Sequence, residues 1–127
     1  MNLEHVAINV PDPVAMAQWW GKHLGMRTIL SSDQPPHMHF IYDDSGSMLE
    51  LYCNTAAPMP DYANIHTANL HIAFSSQAIE ADRARVLAAG ATAVGEISTT
   101  PAGDKLCFLR DPWHVPFQFV QRSKPLV

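Results

Sequence analysis

The sequence predicts an α+β fold made of two tandem βαβββ modules. Three observations predict it. A His-containing strand pattern occurs twice, 66 residues apart; a Gly closes the helical stretch that follows each copy; and a strand hairpin recurs at a spacing of 68 residues. Leu3-Glu4-His5-Val6-Ala7-Ile8 aligns with Asn69-Leu70-His71-Ile72-Ala73-Phe74, so that His falls on His and Ala on Ala. Leu24-Gly25-Met26 aligns with Ala89-Gly90-Ala91. Phe40-Ile41-Tyr42-Asp43-Asp44 aligns with Phe108-Leu109-Arg110-Asp111-Pro112, and Met48-Leu49-Glu50-Leu51-Tyr52 with Pro116-Phe117-Gln118-Phe119-Val120. Such self-similarity at one period marks a duplicated structural unit. The copies cover about residues 1–55 and 66–123. The segment 54–65, with Pro58 and Pro60, reads as the linker. At 127 residues the whole suits one domain.

Each element has a local reason. Leu3 to Val10 is rich in β-branched residues and is ended by Pro11. Asp12 is a fair N-cap and Pro13 suits the first helical position, so a helix runs from there to about Leu24. Gly25 and Gly90 stand where a helix C-terminus favours a left-handed residue. A strand near Arg27 to Ser31 follows. Then comes a hairpin of His37 to Tyr42 and Ser47 to Cys53, turned by Asp43-Asp44-Ser45-Gly46. The second copy reads as a strand Leu70 to Ser75, a helix Ile79 to Ala89, and strands near Thr92 to Ile97, Lys105 to Leu109 and Pro116 to Gln121.

Composition narrows the function classes. Hydrophobic residues make up 47% and charged residues 16%, enough for a core and too little charge for a disordered chain. The net charge is −4 and the eight Lys and Arg are scattered, so no basic stripe invites nucleic acid. No apolar run reaches the roughly 18 residues of a membrane span, and the N-terminus lacks the pattern of a signal peptide. A cytoplasmic protein is expected. Two cysteines, Cys53 and Cys107, read as free thiols rather than a disulfide framework. Seven histidines are many for this length, and His is the commonest metal ligand.

Strand alternation then sorts the side chains. Leu49 and Leu51 oppose Met48, Glu50 and Tyr52; Phe117 and Phe119 oppose Gln118 and Val120. The large apolar face belongs under the helices. The opposite face carries His5, Glu50, His71 and Gln118, so each module offers one His from its first strand and one Glu or Gln from its last. A carboxylate among apolar neighbours, as at Glu50, is costly unless paired or bound to a metal. Two imidazoles, a carboxylate and an amide oxygen form a mixed N/O set for one divalent ion: Zn, Ni, Fe, Mn or Co. Without thiolates the site would be open to water or substrate. His37 and His39, two apart, are placed to line the same surface. His23 and His66 read as surface residues, and His114 as a turn residue. Trp19 and Trp20 read as packing on the sheet, Trp113 as a cavity rim, and Phe40, Met48 and Tyr52 as core.

Taken in order, these segments resemble the vicinal-oxygen-chelate superfamily, which includes glyoxalase I, extradiol dioxygenases, and fosfomycin- and bleomycin-resistance proteins. The residues are His5-Val-Ala-Ile-Asn-Val-Pro-Asp, Trp19-Trp-Gly-Lys-His-Leu-Gly-Met, Leu49-Glu-Leu, Leu70-His-Ile-Ala-Phe and Arg110-Asp-Pro. The resemblance implies a cup-shaped mixed sheet with helices on its outer face, a bound divalent metal and a homodimer. It places His5, Glu50, His71 and Gln118 on the four ligand positions of glyoxalase I-like members. It implies a metal-dependent lyase, isomerase or ring-cleaving dioxygenase acting on a small substrate chelated through adjacent oxygens. The alternative is a metal-free protein that sequesters a small molecule, as bleomycin-resistance proteins do. There are two departures. Gln118 stands where the family usually has Glu, and an amide cannot act as a general base, which leaves Glu50 as the catalytic candidate. Asp111-Pro-Trp-His-Val stands where the family often has Asp-Pro-Asp-Gly-Asn.

Overall fold

In the computed structural model, which describes residues 1–127, each half of the chain folds a strand, a helix and three more strands into one four-stranded mixed sheet. The two units meet in sequence at Pro60–Asp61, inside the expected linker. A short 3₁₀ turn, Tyr62–Asn64, opens the second unit and buries Tyr62.

The first unit comprises β1 (Val6–Asn9), α1 (Pro13–Leu24), β2 (Arg27–Ser31), β3 (His39–Tyr42) and β4 (Met48–Tyr52). The sheet order is β1-β4-β3-β2, with β1 parallel to β4 and the other pairs antiparallel. A parallel pair needs a long crossover, which α1, β2 and β3 supply. The Asp12 carboxylate accepts from the Ala15 N–H at the head of α1, and Gly25 closes it at φ +74°. Between these caps Pro13, Met16, Ala17 and Trp20 are buried, the spacing of one helix face. They pack on β2, β3 and β4, where Ile41 and Leu51 are also fully buried. Burial of side chains of this size contributes about 1.5–3 kcal/mol each.

The second unit repeats the plan with β5 (Ile72–Ser75), α2 (Ile79–Ala88), β6 (Thr92–Thr99), β7 (Lys105–Arg110) and β8 (Pro116–Gln121), in the order β5-β8-β7-β6. Its core holds Ile79, Val86, Cys107, Leu109, Phe117 and Phe119. Burial pushes the Cys107 thiol above its ordinary pKa. Cys53 and Cys107 are both free.

The duplication extends to atomic detail in the hairpin turns. Asp43 accepts from the N–H groups of Ser45 and Ser47; Asp111 accepts from those of Trp113 and Val115. Gly46 has φ +89°, and its counterpart His114 keeps the left-handed conformation at φ +71° although it carries a side chain. Arg110 fastens this region further, its guanidinium donating to the carbonyls of Tyr62 and Ile65 at 2.7 and 2.8 Å.

Three expectations change. β1 and β5 begin at Val6 and Ile72, so His5 and His71 immediately precede their strands rather than lying on them. The ladder with β4 opens at Val6, paired with Leu49, and that with β8 at Ile72, paired with Phe117. β6 runs on to Thr99, passing an irregularity between Val94 and Ser98 where Gly95 takes φ +74°. His39 pairs with Leu51, which places it on the helix-covered face and away from Glu50.

Candidate metal centre

The register within each sheet sets the candidate residues on equivalent places. In the first unit Glu50 lies between Ala7 of β1 and Phe40 of β3. In the second, Gln118 lies between Ala73 of β5 and Phe108 of β7. His5 meets the edge of Phe40 at a ring separation of 5.1 Å, and His71 meets Phe108 in the same way at 5.2 Å. Edge-to-face contact of this kind orients a ring and adds about 0.5–1.5 kcal/mol. The two units thus share one local arrangement, with Glu in the first and Gln in the second.

Each imidazole is also held through Nδ1. His71 Nδ1 donates to the Thr67 carbonyl at 2.7 Å, which fixes the tautomer and leaves Nε2 with its lone pair. His5 Nδ1 is hydrogen-bonded to the Glu4 carboxylate, and its Nε2 lies 3.3 Å from Glu50 Oε2. The Glu4 hydrogen bond raises the pKa of His5; partial burial opposes it and the Glu50 carboxylate adds to it. Nothing in the sequence singled out Glu4 or Thr67, because neither has an equivalent in the other module. Phe40 and Phe108 were visible as a repeated pair, but nothing local marked them as ring supports.

The first unit therefore brings His5 and Glu50 together; in the second, the His71 ring meets Phe108, and Gln118 is in register with Phe108. Neither unit alone gathers three His, Cys, Asp or Glu side chains as a metal-binding group. The donor chemistry nevertheless fits a divalent ion. Two ligands each about 2.0–2.2 Å from one ion lie roughly 3.3–3.6 Å apart in tetrahedral geometry. The 3.3 Å between His5 Nε2 and Glu50 Oε2, an ion-pair distance, falls at the short end of that range. Metal-binding imidazoles also characteristically donate their second N–H to a carboxylate or backbone carbonyl, as His5 and His71 do here.

Beside this pair the first unit has a cavity of about 280 Å³ lined by Glu4, Ile29, Leu30, Phe40 and Met48. Phe40 and Met48 were expected in the core; both are half-buried and face this space instead. Trp20 is fully buried, whereas Trp19 is half-buried against His23 at a ring separation of 5.0 Å.

The chain matches the model of the Glyoxalase/Bleomycin resistance protein/Dioxygenase superfamily over residues 2–119, and it belongs to that family. Several solved structures share its fold. A glyoxalase/bleomycin resistance protein/dioxygenase family enzyme from Burkholderia phytofirmans PsJN superposes with a TM-score of 0.77 at 20% identity, over 95% of this chain and 98% of that one. An antibiotic binding protein from Streptomyces sp. CB03234 gives 0.72 at 15% identity, over 97% of each chain. A glyoxalase I mutant from Zea mays gives 0.75 at 18% identity, with 97% of this chain matched to 46% of that one. No curated protein sequence gives a match. No helix is long and apolar enough to cross a membrane.

Proposed function

We propose that the protein is a divalent-metal-dependent enzyme of the glyoxalase or dioxygenase type, with His5, Glu50, His71 and Gln118 as metal ligands. The observation that carries the reading is the His5–Glu50 pair at chelating distance, with the Nδ1 of His5 and of His71 already engaged by an oxygen. The bound ion would supply Lewis acidity toward a substrate that chelates through two adjacent oxygens. The residues contribute the rest. The His71 imidazole is held in one tautomer and offers Nε2, whereas His5 Nε2 lies against Glu50 Oε2, and an ion bound there would take the place of the proton between them. Glu50 is the proton-transfer candidate, because Gln118 occupies the equivalent place with a side chain that neither takes nor gives a proton at neutral pH. The exchange of Glu for Gln leaves one side of the repeat to bind and orient, the other to move a proton. The family resemblance also supports a homodimer as the working species.

The test is elemental analysis of protein purified without a polyhistidine tag, followed by titration with Ni, Zn, Mn and Fe(II). The expected result is about one ion per chain and a higher Tm on adding metal, since a ligand that binds only the native state stabilises it by mass action. His5→Ala and His71→Ala should each abolish the gain. Occupancy near zero, with no rise in Tm for any of the four metals, would overturn the proposal.

A second reading has its own support. The cavity lined by Ile29, Leu30, Phe40 and Met48 is apolar, as in a protein that holds a small molecule without transforming it. Under that reading binding of a small apolar ligand persists in His5→Ala and Glu50→Gln, and no turnover appears with any metal.

A further inference from the structure

Strand β7 reaches His71 by two routes. Phe108 and Arg110 alternate with the buried Cys107 and Leu109, so they share the sheet face on which Phe108 stands in register with Gln118. Phe108 meets the His71 ring edge to face at 5.2 Å. Arg110, the last residue of the strand, reaches the backbone that leads up to His71. Its Nη1 donates to the Tyr62 carbonyl at 2.7 Å and to the His114 carbonyl at 3.3 Å, and its Nη2 donates to the Ile65 carbonyl at 2.8 Å. One guanidinium thus ties the 3₁₀ turn to the β7–β8 turn.

From Ile65 the chain enters a closed turn. The His66 carbonyl accepts from the N–H groups of Asn69 and Leu70, and His66 Nδ1 accepts from that of Ala68. Thr67, inside this turn, is buried, and its carbonyl accepts the His71 Nδ1–H at 2.7 Å. A carbonyl can only accept, so His71 carries its proton on Nδ1 and keeps its lone pair on Nε2. Such a bond holds only while the carbonyl stays within about 3.2 Å and in line. Arg110 fixes the chain two residues before that carbonyl.

The first unit meets the same need in another way. The counterpart of Arg110 there is Tyr42, whose ring lies under the Arg27 guanidinium at 4.9 Å. His5 is held by the side chain of its neighbour Glu4.

We infer that Arg110 is a positioning residue for His71: by clamping the Tyr62 and Ile65 carbonyls it holds the Thr67 carbonyl where it sets His71 in the Nδ1–H tautomer. The inference rests on the metal-enzyme reading only for the use made of the Nε2 so presented. Arginine suits the task. Its guanidinium stays charged, and its planar fork donates in fixed directions through charge-assisted bonds, roughly twice as strong as neutral ones. In an unconstrained histidine side chain the Nε2–H form prevails, so the Nδ1–H form needs such support.

The experiment uses the full chain, isotope-labelled at its histidines, with a chelator present and at an alkaline pH that keeps ordinary imidazoles neutral. Ring proton–nitrogen correlation spectra report which nitrogen bears the proton. Wild-type His71 should appear as the Nδ1–H form. Arg110→Met keeps the stem and removes the donors; it should raise the Nε2–H fraction of His71 several-fold and leave the His5 signals in place. Val86→Ala, in the core of the same unit, is the stability control: it should lower Tm with no change in the His71 tautomer. Arg110→Lys keeps the charge without the fork, and should fold and give an intermediate Nε2–H fraction.

Wild-type His71 in the Nε2–H form, a folded Arg110→Met with wild-type His71 signals, or an equal shift in Val86→Ala would overturn the inference. Failure of both Arg110 variants to fold would do so too, by assigning the arginine to the fold alone. Titration with Ni(II) reads the consequence at the site. Arg110→Met should bind about tenfold more weakly, the low end for contacts that orient a ligand, and Val86→Ala should bind as wild type does. A shifted tautomer with wild-type Ni(II) affinity would overturn the positioning role. Wild type that binds no ion, with the tautomer shifting as expected, defeats the metal reading alone; an ion bound with the tautomer unmoved defeats this inference alone.

Discussion

At the scale of single residues, metal binding turns on which atoms of His5 and His71 are committed. A bare imidazole offers either nitrogen; here Nδ1 of each is held, and Nε2 is turned elsewhere, that of His5 to within 3.3 Å of Glu50 Oε2. The Glu4 carboxylate does for His5 what a backbone carbonyl does for His71. Glu4→Ala should therefore lower metal affinity by about tenfold, the low end of what such supporting contacts contribute, while His71 is insulated because a carbonyl survives side-chain substitution. Metal titration of Glu4→Ala checks this; an affinity unchanged from wild type would show that Glu4 does not position the ring. Gln118→Glu should strengthen binding of a hard cation such as Mn(II), by about tenfold or roughly 1.4 kcal/mol. No change in affinity would remove Gln118 from the ligand set.

At the scale of elements, the hairpin turns are where the duplicated chain shows both its economy and its divergence. Asp111 is buried and receives two backbone N–H groups. Asp111→Ala would leave both donors without a partner away from water, at a cost of about 2–4 kcal/mol. Asp43 has the same bonds on the surface, where water replaces the carboxylate, so Asp43→Ala should cost only about 1 kcal/mol. Urea denaturation of the two variants measures the contrast. In the second turn His114 takes the conformation that Gly46 takes in the first. His114→Gly removes the steric penalty of a side chain at positive φ, set against the greater freedom of glycine in the unfolded chain. The net expectation is a gain of about 0.5–1 kcal/mol; a loss would mean the imidazole makes contacts that outweigh the backbone strain.

At the scale of the whole molecule, the chain's end is fastened by charge. Asp104, in the β6–β7 turn, accepts from the Ser123 N–H and hydroxyl and from Arg122 at 2.9 Å. The Ser123 hydrogen bond, followed by that from Arg122, holds the Asp104 carboxyl below its ordinary pKa. A carboxylate depressed in the folded state stabilises it above the unfolded value, about 4, and that stabilisation is lost as pH falls through the folded value. Asp104→Asn should thus flatten the fall of stability below about pH 4 and lower stability at neutral pH. Thermal unfolding across pH 2 to 7, in roughly one-unit steps, reads both. A variant with the wild-type acid profile would show that this link contributes nothing to the acid limb.

Much of this was legible in the sequence. The repeat announced two βαβββ modules, and both sheets have that plan. Helix α1 begins and ends where Asp12, Pro13 and Gly25 say it should. The alternation along β4 sorted Leu49 and Leu51 from Glu50 correctly, as the burial pattern of that strand shows. These features depend on residues within a few positions of one another, and local rules reach that far. The rest depended on partners distant in sequence. His39 has the same alternation whichever face it takes; only its pairing with Leu51 puts it away from Glu50. Ile29 and Leu30 read as opposite faces until the ladder with β3 shows an extra residue between its rungs. The Nδ1 partners of the two histidines, a side chain in one unit and a backbone carbonyl in the other, follow no repeat. The duplicated plan, the caps and the list of candidate ligands were thus written in the order of residues alone. Which nitrogen each histidine presents, which residues share a face and where the cavity lies were settled only by folding. Periodicity is a property of one strand, whereas register and hydrogen-bond partnership belong to pairs of strands.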